Sequence, residues 1–259
     1  MSESSSVKKR LDSIYKGLST NMCHVHVYDI LCQDIKRWIP ASEPCSVHRL
    51  DKPTTGCLLV ALNSVSGKSL SRQFTQGTVQ KSYLALVRGG EKSFSSKQGR
   101  IEAPISYLDG RAQIDDSGKE AITEWEVLGA STKIPLSLLR LGLVTGNKHQ
   151  LRIHLAKILQ TPIVGDSLYS SKPLAPAIAE VTDIPENRLF LHASEISFYK
   201  YTERGKRYRL KIRSPIPPDL KIVCEDADID LPHIDGTVVI DEEVDGIDDR
   251  YLWDRRKYN

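Results

Sequence analysis

The chain has 259 residues, of which 40% are apolar and 27% charged, so it is long enough to bury a full core and has an ordinary soluble composition. Its longest uninterrupted apolar run, residues 57–62, is too short to cross a bilayer, which excludes a helical membrane span. The net charge is +3, but residues 225–259 carry twelve acidic and four basic side chains, a net of −8 that leaves +11 on residues 1–224. A body this basic favours a polyanionic partner.

Residues 1–44 form an N-terminal segment that we expect to be partly flexible. The first ten residues are Ser-rich and charged and lack an apolar run, so they do not resemble a secretory signal. Within residues 28–39 the apolar side chains recur at helical spacing, which predicts a helix that Pro40 ends.

A carboxylate, Asp51, lies in a polar turn just before the apolar run at residues 57–62, for which we predict a buried strand. Pro53 restricts the backbone of the residue before it, and Gly56 permits a bend that other residues resist. We therefore expect a defined loop that holds Asp51 in one place. Functional side chains often lie on such loops.

The elements that follow are short. A helix is predicted at residues 64–75, with Gly77 as its stop signal. Prolines at positions 215, 217 and 218 are expected to close the domain. The patterns predict strands at residues 79–87, 121–128, 136–144, 190–193, 196–199 and 208–212, irregular hairpins and loops at residues 89–120, and a loop with short helical pieces at residues 172–186.

Another helix is predicted from Lys148 onward, after a turn at residues 145–147. Leucine and isoleucine side chains at four positions between residues 151 and 159 fall on one helical face. Arg152 and His149 then lie beside that face and beyond it. The pattern predicts that both side chains point into a cleft while the apolar face anchors the helix.

Cysteine usage gives a prediction of compartment. The five cysteines are odd in number and contain no CxxC pair, so a disulfide framework is not expected and a reducing, intracellular location is favoured. The sequence leaves cytoplasm, nucleus and mitochondrion open. Cys23, His24 and His26 have the residue types of half a metal site, but structural zinc sites normally show two tight ligand pairs, so we predict no metal.

Residues 224–259 form a predicted acidic C-terminal tail. A segment of this composition is disordered, folds back on the basic body, or keeps weak RNA ligands away, and the sequence does not choose among the three.

Four segments of the chain stand out by their length and mutual spacing. They are His48-Arg49-Leu50-Asp51-x-x-Thr54-Thr55-Gly56; Lys81-Ser82-Tyr83-Leu84-Ala85-Leu86-Val87-Arg88-Gly89; Thr145-Gly146-Asn147-Lys148-His149-Gln150-Leu151-Arg152-Ile153-His154-Leu155, with Gly165-Asp166-x-x-Tyr169 behind it; and Leu191-His192-Ala193. Together they resemble the segments typical of the RluA-type pseudouridine synthases. The resemblance extends over residues 45–223, which we predict to be the catalytic domain.

This resemblance implies an α+β fold, a twisted, mainly antiparallel mixed sheet with flanking helices and a central basic cleft. It implies isomerisation of specific uridines in structured ribosomal or transfer RNA to pseudouridine. That reaction breaks an N–C glycosidic bond, turns the base and rejoins it through carbon, so no cofactor is expected. The expected partner is structured RNA rather than a membrane, and a monomer is favoured.

The resemblance also implies residue roles. Asp51 is the expected catalytic residue, either as a nucleophile toward the sugar or base or as a general base at the sugar. Arg152 is its expected charge partner. Tyr83 is expected to stack on the target base and to handle the proton at the base carbon. Arg49 is the candidate wedge that fills the space left by a flipped base. The remaining predicted RNA-binding residues are His48, Lys148 and His149.

The chain departs from the family pattern in places. Asn147 stands where the family usually has an arginine, and we expect this to alter an RNA phosphate contact rather than the chemistry. Thr55 replaces a more frequent serine. Residues 16–20 faintly resemble the family's opening segment without its Lys-Pro pair, so no role is transferred there. The following histidines are expected to be structural hydrogen-bonding residues without a proton-transfer role: His48, His149, His154 and His192.

Two rival functions remain open at this stage. One is a catalytically idle RNA-binding protein or RNA chaperone with the same fold, which the complete set of Asp51, Tyr83 and Arg152 disfavours. The other is a structural subunit whose basic face binds an acidic protein. Salt-sensitive RNA binding would favour the pseudouridine synthase and the idle RNA-binding protein over the structural subunit.

Overall fold

The computed structural model describes residues 35–37, 39–170, 173–185, 188–201, 207–234 and 236–241. Its centre is a sheet of eight strands in which seven follow the order β12-β11-β10-β4-β9-β8-β5 and β2 adds to β10. Every pairing is antiparallel except the parallel pairing of β2 with β10. The predicted α+β fold with a mainly antiparallel mixed sheet is confirmed.

The element bounds follow the chain. The strands are β1 Cys45–Ser46, β2 Thr55–Gly56, β3 Val60–Ala61, β4 Gln80–Arg88, β5 Gln98–Glu102, β6 Ile105–Leu108, β7 Arg111–Ile114, β8 Ile122–Ala130, β9 Leu136–Leu143, β10 Leu191–Tyr201, β11 Arg207–Arg213 and β12 Val238–Asp241. The helices are α1 Ser64–Thr75, α2 Gln150–Ile153 with a π-helical continuation His154–Ile158, α3 Pro176–Val181 and α4 Pro218–Asp226, with a 3-10 turn at Glu91–Ser93.

Helix α1 has the bounds that the sequence predicts. Asn63 caps its N-terminus by accepting a hydrogen bond from the Ser66 N–H, and the chain leaves the helix at Gly77 with φ +67°. Its buried face carries Leu70 and Gln73. The Gln73 amide accepts from the Tyr199 N–H and donates to the Tyr199 carbonyl, so one side chain continues the ladder of β10 beyond the end of β4.

The predicted strand at residues 57–62 is wrong as a continuous element. Only Val60–Ala61 pairs as a strand, with β1. The Cys57 N–H donates to the Ala193 carbonyl of β10, and the Leu59 N–H donates to a histidine ring, so neighbouring backbone donors have partners in different directions. Conversely, the strands predicted at residues 190–193 and 196–199 are one strand, β10, with a register irregularity between His192 and Glu195 opposite β4.

The region at residues 89–120, for which irregular hairpins and loops were predicted, contains a tight hairpin with a two-residue turn. Strands β6 and β7 pair as Leu108 with Arg111, and the two residues between them, Asp109 and Gly110, have φ +49° and +77°. Asp-Gly in this conformation is a preferred connection for a tight antiparallel hairpin. The hairpin at residues 105–114 lies close to the loop before α2, where Tyr107 donates to the Lys148 carbonyl.

The chain continues in the fold beyond the predicted boundary at residue 224. Pro218 occupies the first turn of α4, where a missing N–H costs nothing, so the prolines begin a helix rather than close the domain. Ala227 and Ile229 are buried after it, and β12 pairs with β11. The acidic segment therefore folds back on the sheet as far as residue 241. Residues 242–259 lie outside the described part, as do most of the predicted helix at residues 28–39 and the whole of residues 16–26.

Two histidines hold the chain on either side of Asp51 by hydrogen bonds. The His48 Nε2 accepts from the Leu59 N–H at 2.8 Å, and the His192 Nδ1 lies 2.9 Å from the Thr55 Oγ1. Burial lowers the pKa of each ring to about 4, and the charge of Lys81 adds to the lowering at His48. Both rings are therefore neutral hydrogen-bonding residues, as the sequence predicts.

No helix in the described ranges has the length and apolar character that a membrane crossing needs.

Gly56 generates a stability prediction. Its φ is +108°, and a Cβ there would lie 2.2 Å from the Ala193 carbonyl oxygen, so Gly56→Ala combines backbone strain with a collision against β10. We expect it to lower the free energy of unfolding by about 3 kcal/mol. Gly77→Ala is the matched control, because its φ is +67° with no atom within 4 Å. In urea unfolding the control should lose only about 1 kcal/mol; equal losses would contradict the close approach.

The two neutral histidines predict a pH dependence of stability. In the unfolded chain a histidine has a pKa of about 6.5, so between pH 6.5 and 4 the unfolded state binds more protons than the folded state. The free energy of unfolding should fall as the pH falls through this window, by at most about 3 kcal/mol per ring. His48→Gln supplies an acceptor for the Leu59 N–H and should remove part of the fall, whereas His233→Gln at an exposed position should retain all of it. Identical pH profiles for the two variants would contradict this account.

Candidate active site

Asp51 lies in the loop between β1 and β2, with its side chain 16% exposed. Its carbonyl accepts from the Thr54 N–H at 2.8 Å, which closes a turn. Thr55 and Gly56 then pair in parallel with His192 and Ala193 of β10. Segments that are 137 residues apart in sequence thus hold the Asp51 loop against the sheet. This is the defined loop that the sequence predicts.

Arg152 lies next to Asp51, and Asp166 orients it. The Arg152 Nε and Nη2 donate to the two carboxylate oxygens of Asp166 at 2.8 and 2.7 Å, while its Nη1 lies 3.9 Å from the Asp51 Oδ2. The Asp166 carboxylate also accepts from the Leu168 and Tyr169 N–H groups. Although burial by itself would lower the Arg152 pKa, the hydrogen bonds and charge of Asp166, joined by Asp51, raise it. Two edges of the guanidinium therefore serve two carboxylates.

The position of Arg152 corrects one sequence prediction. We expected the side chain to lie beside the apolar face, away from the buried stripe, and to point into a cleft; it does lie next to Asp51, but only 4% of the residue is exposed. Burying a charged guanidinium carries a large desolvation penalty, which is tolerated when a carboxylate accepts hydrogen bonds from two of its N–H groups. Asp166 is that carboxylate. The helix itself is shorter than predicted as an α-helix, since it passes into π-helical geometry at His154.

His149 lies at the other oxygen of Asp51. Its Nε2 is 3.9 Å from the Asp51 Oδ1, and its Nδ1 is 2.8 Å from the Tyr169 hydroxyl. Burial lowers the His149 pKa, which Asp51 opposes and Arg152 reinforces. The backbone of His149 is left-handed, with φ +57°, where it precedes α2. The Tyr169 hydroxyl at Nδ1 holds the ring with its Nε2 toward Asp51.

Tyr169 links these groups to the hairpin. Its hydroxyl accepts from the Ala112 N–H of β7 at 3.0 Å, and the Arg152 Cζ lies 5.3 Å from its ring centroid. Asp166 and Tyr169 both belong to a segment recognised in the sequence, but no role was predicted for either. The signal was the pattern Gly165-Asp166-x-x-Tyr169, where Gly165 has φ +78° and lies so close to the Arg188 carbonyl that a Cβ does not fit.

Tyr83 is the buried residue on β4 that faces this cluster. It is 7% exposed, and burial raises the pKa of its phenol, with further contributions from the charges of Asp51 and Cys57. The hydroxyl therefore keeps its proton throughout the physiological range. The structure brings together Asp51, Tyr83 and Arg152, which were predicted as the catalytic set, and places beside them His149, which was predicted to bind RNA, together with Asp166 and Tyr169.

The predicted RNA-binding residues divide into two groups. Arg49 and Lys148 are exposed, and the Lys148 Nζ donates to the Gly110 carbonyl at the tip of the hairpin. His48 instead turns inward, where its ring stacks on Phe74 at 5.0 Å and its Nε2 is occupied by the Leu59 N–H. His149 faces Asp51. Of the four, Arg49 and Lys148 therefore present charge to solvent.

Asn147 has an internal role. Its side-chain amide donates to the Glu120 carbonyl at 2.7 Å and to the Gln150 Oε1 at 3.3 Å, and its N–H also donates to that oxygen. Gln150 in turn binds the backbone and side chain of β8. The residue that replaces the family arginine thus braces the loop before α2.

Metal ligation has little support in the described ranges. They hold no group of three or more His, Cys, Asp or Glu side chains arranged for an ion. The Cys23, His24 and His26 group lies outside them.

Comparison with known proteins identifies the family of this site. A family profile described as RNA pseudouridylate synthase matches residues 41–157. An uncharacterized RNA pseudouridine synthase of Zymomonas mobilis is 36% identical over 192 residues, which cover 72% of this chain and 77% of that protein. The tRNA pseudouridine synthase C of Pasteurella multocida is 40% identical over 59% of this chain and 65% of its own length. The ribosomal large subunit pseudouridine synthase D of Nitrosomonas europaea is 37% identical over 72% of this chain and 52% of its own.

Two solved structures share the fold. Human RNA Pseudouridylate Synthase Domain Containing 4 has a TM-score of 0.66 and 23% sequence identity, over 80% of this chain and 85% of that one. Human RNA Pseudouridylate Synthase Domain Containing 1 has a TM-score of 0.57 and 28% identity, over 74% of this chain and 77% of that one. The curated relatives are covered over lengths from about half to three quarters of their own chains. The family predicted from four short segments is confirmed, and the chain belongs to the RluA-type family of RNA pseudouridine synthases, which are isomerases.

Proposed function

We propose that the protein isomerises specific uridines in structured ribosomal or transfer RNA, with Asp51 as the reacting carboxylate. The observation that carries this proposal is the placement of Asp51. Its two oxygens face a guanidinium and an imidazole at 3.9 Å each, and a buried tyrosine lies on the adjacent strand. The relatives named for tRNA and for the large ribosomal subunit support RNA as the substrate class.

The reaction is internal to one nucleotide. The bond from N1 of uracil to C1′ of the sugar breaks, the base turns, a bond from C5 to C1′ forms, and the proton on C5 is lost while N1 gains one. Asp51 acts as a nucleophile toward the sugar or base, or as a general base at the sugar. In both cases the carboxylate needs its negative charge near the reacting atoms. Arg152 stabilises that charge in a site where solvent is largely excluded.

Tyr83 has the properties that a base-stacking residue needs. Its ring offers an aromatic face, and its raised pKa keeps the phenol protonated beside Asp51. We propose that it stacks on the turned uracil and relays a proton there, since the phenol accepts the proton that leaves C5 while it passes its own proton on toward N1. The nucleotide must leave the RNA helix, because a stacked and paired uracil has no room to turn about its sugar.

The surroundings of Asp51 suit a polyanion. Arg49 is exposed in the same loop, two residues before Asp51, and is the proposed wedge. Lys148 is exposed on the other side of α2's N-terminus, and the excess of basic residues in the first 224 positions supports a basic cleft. The hairpin at residues 105–114 lies near this site, since burial raises the pKa of the Tyr107 phenol and the charge of Asp51 contributes to that rise. We propose that it contributes to target choice.

The cellular setting is also a proposal. Cys45, Cys57 and Cys224 are free thiols, which supports a reducing, intracellular location. We propose that the protein acts there as a monomer, without a cofactor or metal. The rival, a catalytically idle RNA-binding protein, predicts the same RNA contacts but no product.

Pseudouridine mapping of total RNA tests the reaction. Cells with the wild-type protein, with none and with Asp51→Asn are compared, and sites should vanish both in the null and in Asp51→Asn. Purified Asp51→Asn should lose at least about a thousandfold in kcat, because the amide cannot act as nucleophile or base. Asp226→Asn at the exposed C-terminal end of α4 is the matched control and should keep its sites. Restoration of the sites by Asp51→Asn would establish the idle binding protein instead.

Asp166→Asn tests the orientation of Arg152. The amide can accept only part of the guanidinium fork and supplies no charge, so Arg152 should lose its fixed direction toward Asp51. We expect kcat to fall about 10- to 100-fold and the free energy of unfolding to fall by about 3 kcal/mol.

Asp219→Asn is the control for that variant, because Asp219 pairs in the same way with Arg188 away from Asp51. It should lose stability while keeping kcat in assays run well below the unfolding temperature. Wild-type kcat in Asp166→Asn would contradict the orienting role.

A further inference from the structure

Lys81 is a cation of the site region that the reaction does not use. It lies on β4 two residues before Tyr83, and alternation along a strand places both side chains on one face of the sheet. Its Nζ lies 3.6 Å from the point that a Cβ would occupy at Gly146, and its charge reaches the ring of His48. The ammonium thus stands where β4, the Asp51 loop and the loop before α2 meet.

This ammonium has no partner in the ranges that the structure describes. Among the described residues, no hydrogen bond or ion pair joins it to another group. Its pKa is lowered to about 8, and burial is the whole cause, with no carboxylate opposing it. Arg152, Arg209 and Arg213 differ, because each donates to a carboxylate or hydroxyl. Partial burial of this ammonium lowers the stability of the fold, and no ion pair offsets the loss.

The surroundings leave room for an anion. Gly146 is exposed and has no side chain, so the ammonium is open to solvent across it. Arg49 follows His48 on one side, and Lys148 follows Asn147 on the other, and both are exposed. The charge of Lys81 reaches the ring of His48, which precedes Arg49, whereas the Lys148 Nζ is directed to the hairpin, where it donates to the Gly110 carbonyl. The Asp51 carboxylate is already faced by Arg152 and His149. An incoming group here meets positive charge.

We propose that Lys81 binds a backbone phosphate of the RNA, next to the nucleotide whose base stacks on Tyr83. This rests on the proposed function, since it takes RNA as the ligand. Lysine is a compact point charge that suits a phosphate oxygen without demanding one geometry, and phosphate contacts set the register of a protein on nucleic acid. A phosphate held two residues from Tyr83 along the strand fixes the sugar of the reacting nucleotide relative to Asp51.

The alternative is a structural lysine, whose methylene stem covers apolar surface while the ammonium reaches water. The two readings differ in what they predict for salt. A phosphate contact contributes about 0.7 to 0.9 to the slope of log affinity against log salt concentration, and a structural lysine contributes nothing.

The test measures binding of unmodified transcripts of ribosomal and transfer RNA over a series of KCl concentrations. Lys81→Gln should weaken binding about tenfold and reduce the salt slope by about one, while its thermal unfolding midpoint stays within a few degrees of wild type. Lys221→Gln, at an exposed position on α4, should change neither quantity. An unchanged slope in Lys81→Gln, or no binding by the wild type, would overturn the proposal.

A second pair of variants keeps the test valid if Lys81→Gln does not fold. Gly146 is not in the left-handed region and a Cβ there makes only ordinary contact, so Gly146→Asp is sterically allowed and places a carboxylate beside Lys81. It should weaken binding relative to Gly146→Asn, which has the same size without the charge. Lys81→Gln added to Gly146→Asp should then cost little more. Equal affinities for the Asp and Asn variants would overturn the proposal.

Turnover separates this inference from the function on which it rests. Lys81→Gln should raise KM and leave kcat at saturating RNA within about threefold of wild type, because the contact positions the RNA without touching the reacting atoms. If the wild-type protein binds RNA with the expected slope but forms no pseudouridine, the proposed reaction fails while the phosphate contact stands.

Discussion

The buried ion pair between Arg152 and Asp166 is the interaction on which the site depends. Removing both charges from water costs several kcal/mol each, and the cost is met because the two donors of one guanidinium edge match the two oxygens of the carboxylate. Two backbone N–H groups complete the coordination of Asp166. With that edge occupied, the remaining Nη1 has one direction left, and Asp51 lies along it. The Arg152 side chain, which would otherwise be flexible, is therefore held in one orientation.

The position of Asp51 depends on a close approach of two backbones. Residue 56 must be glycine because the carbonyl of Ala193 occupies the place of a Cβ. That contact lets β2 add in parallel to β10, and the neutral rings of His48 and His192 hold the loop on either side. Gly165 makes a similar approach to the Arg188 carbonyl before Asp166. The close approaches at Gly56 and Gly165 therefore position Asp51 and Asp166 next to Arg152.

The groups around Asp51 combine positive charge with a protonated phenol. The carboxylate is shielded from most solvent, faced by Arg152 and His149, and adjacent to a phenol that burial keeps protonated. Such a site holds one negative charge and one available proton near the place where a base would turn, without exchange of a redox or phosphoryl group. Arg152 inside the site is matched to Asp166 and Asp51, whereas Lys81 has no such partner among the described residues, which fits a position that meets an anion from another molecule.

The sequence by itself determined the local elements and the segments that carry the predicted site residues. Helix α1 was predicted with its bounds because its cap, apolar spacing and terminal glycine are all local signals. Strand β4 was predicted within one residue, and Asp51, Tyr83 and Arg152 were identified from short segments of characteristic order.

Only the tertiary structure decided which of these residues are buried and what they contact. The apolar periodicity of residues 148–159 placed Arg152 outside the buried face, because a helical pattern takes no account of a carboxylate supplied by a different segment. The break of residues 57–62, the single strand β10 and the return of the acidic segment as β12 likewise depend on hydrogen bonds between distant parts of the chain. A local pattern reports the preference of one segment, but the burial of a charge and the pairing of a strand are properties of two segments that meet only in the folded chain.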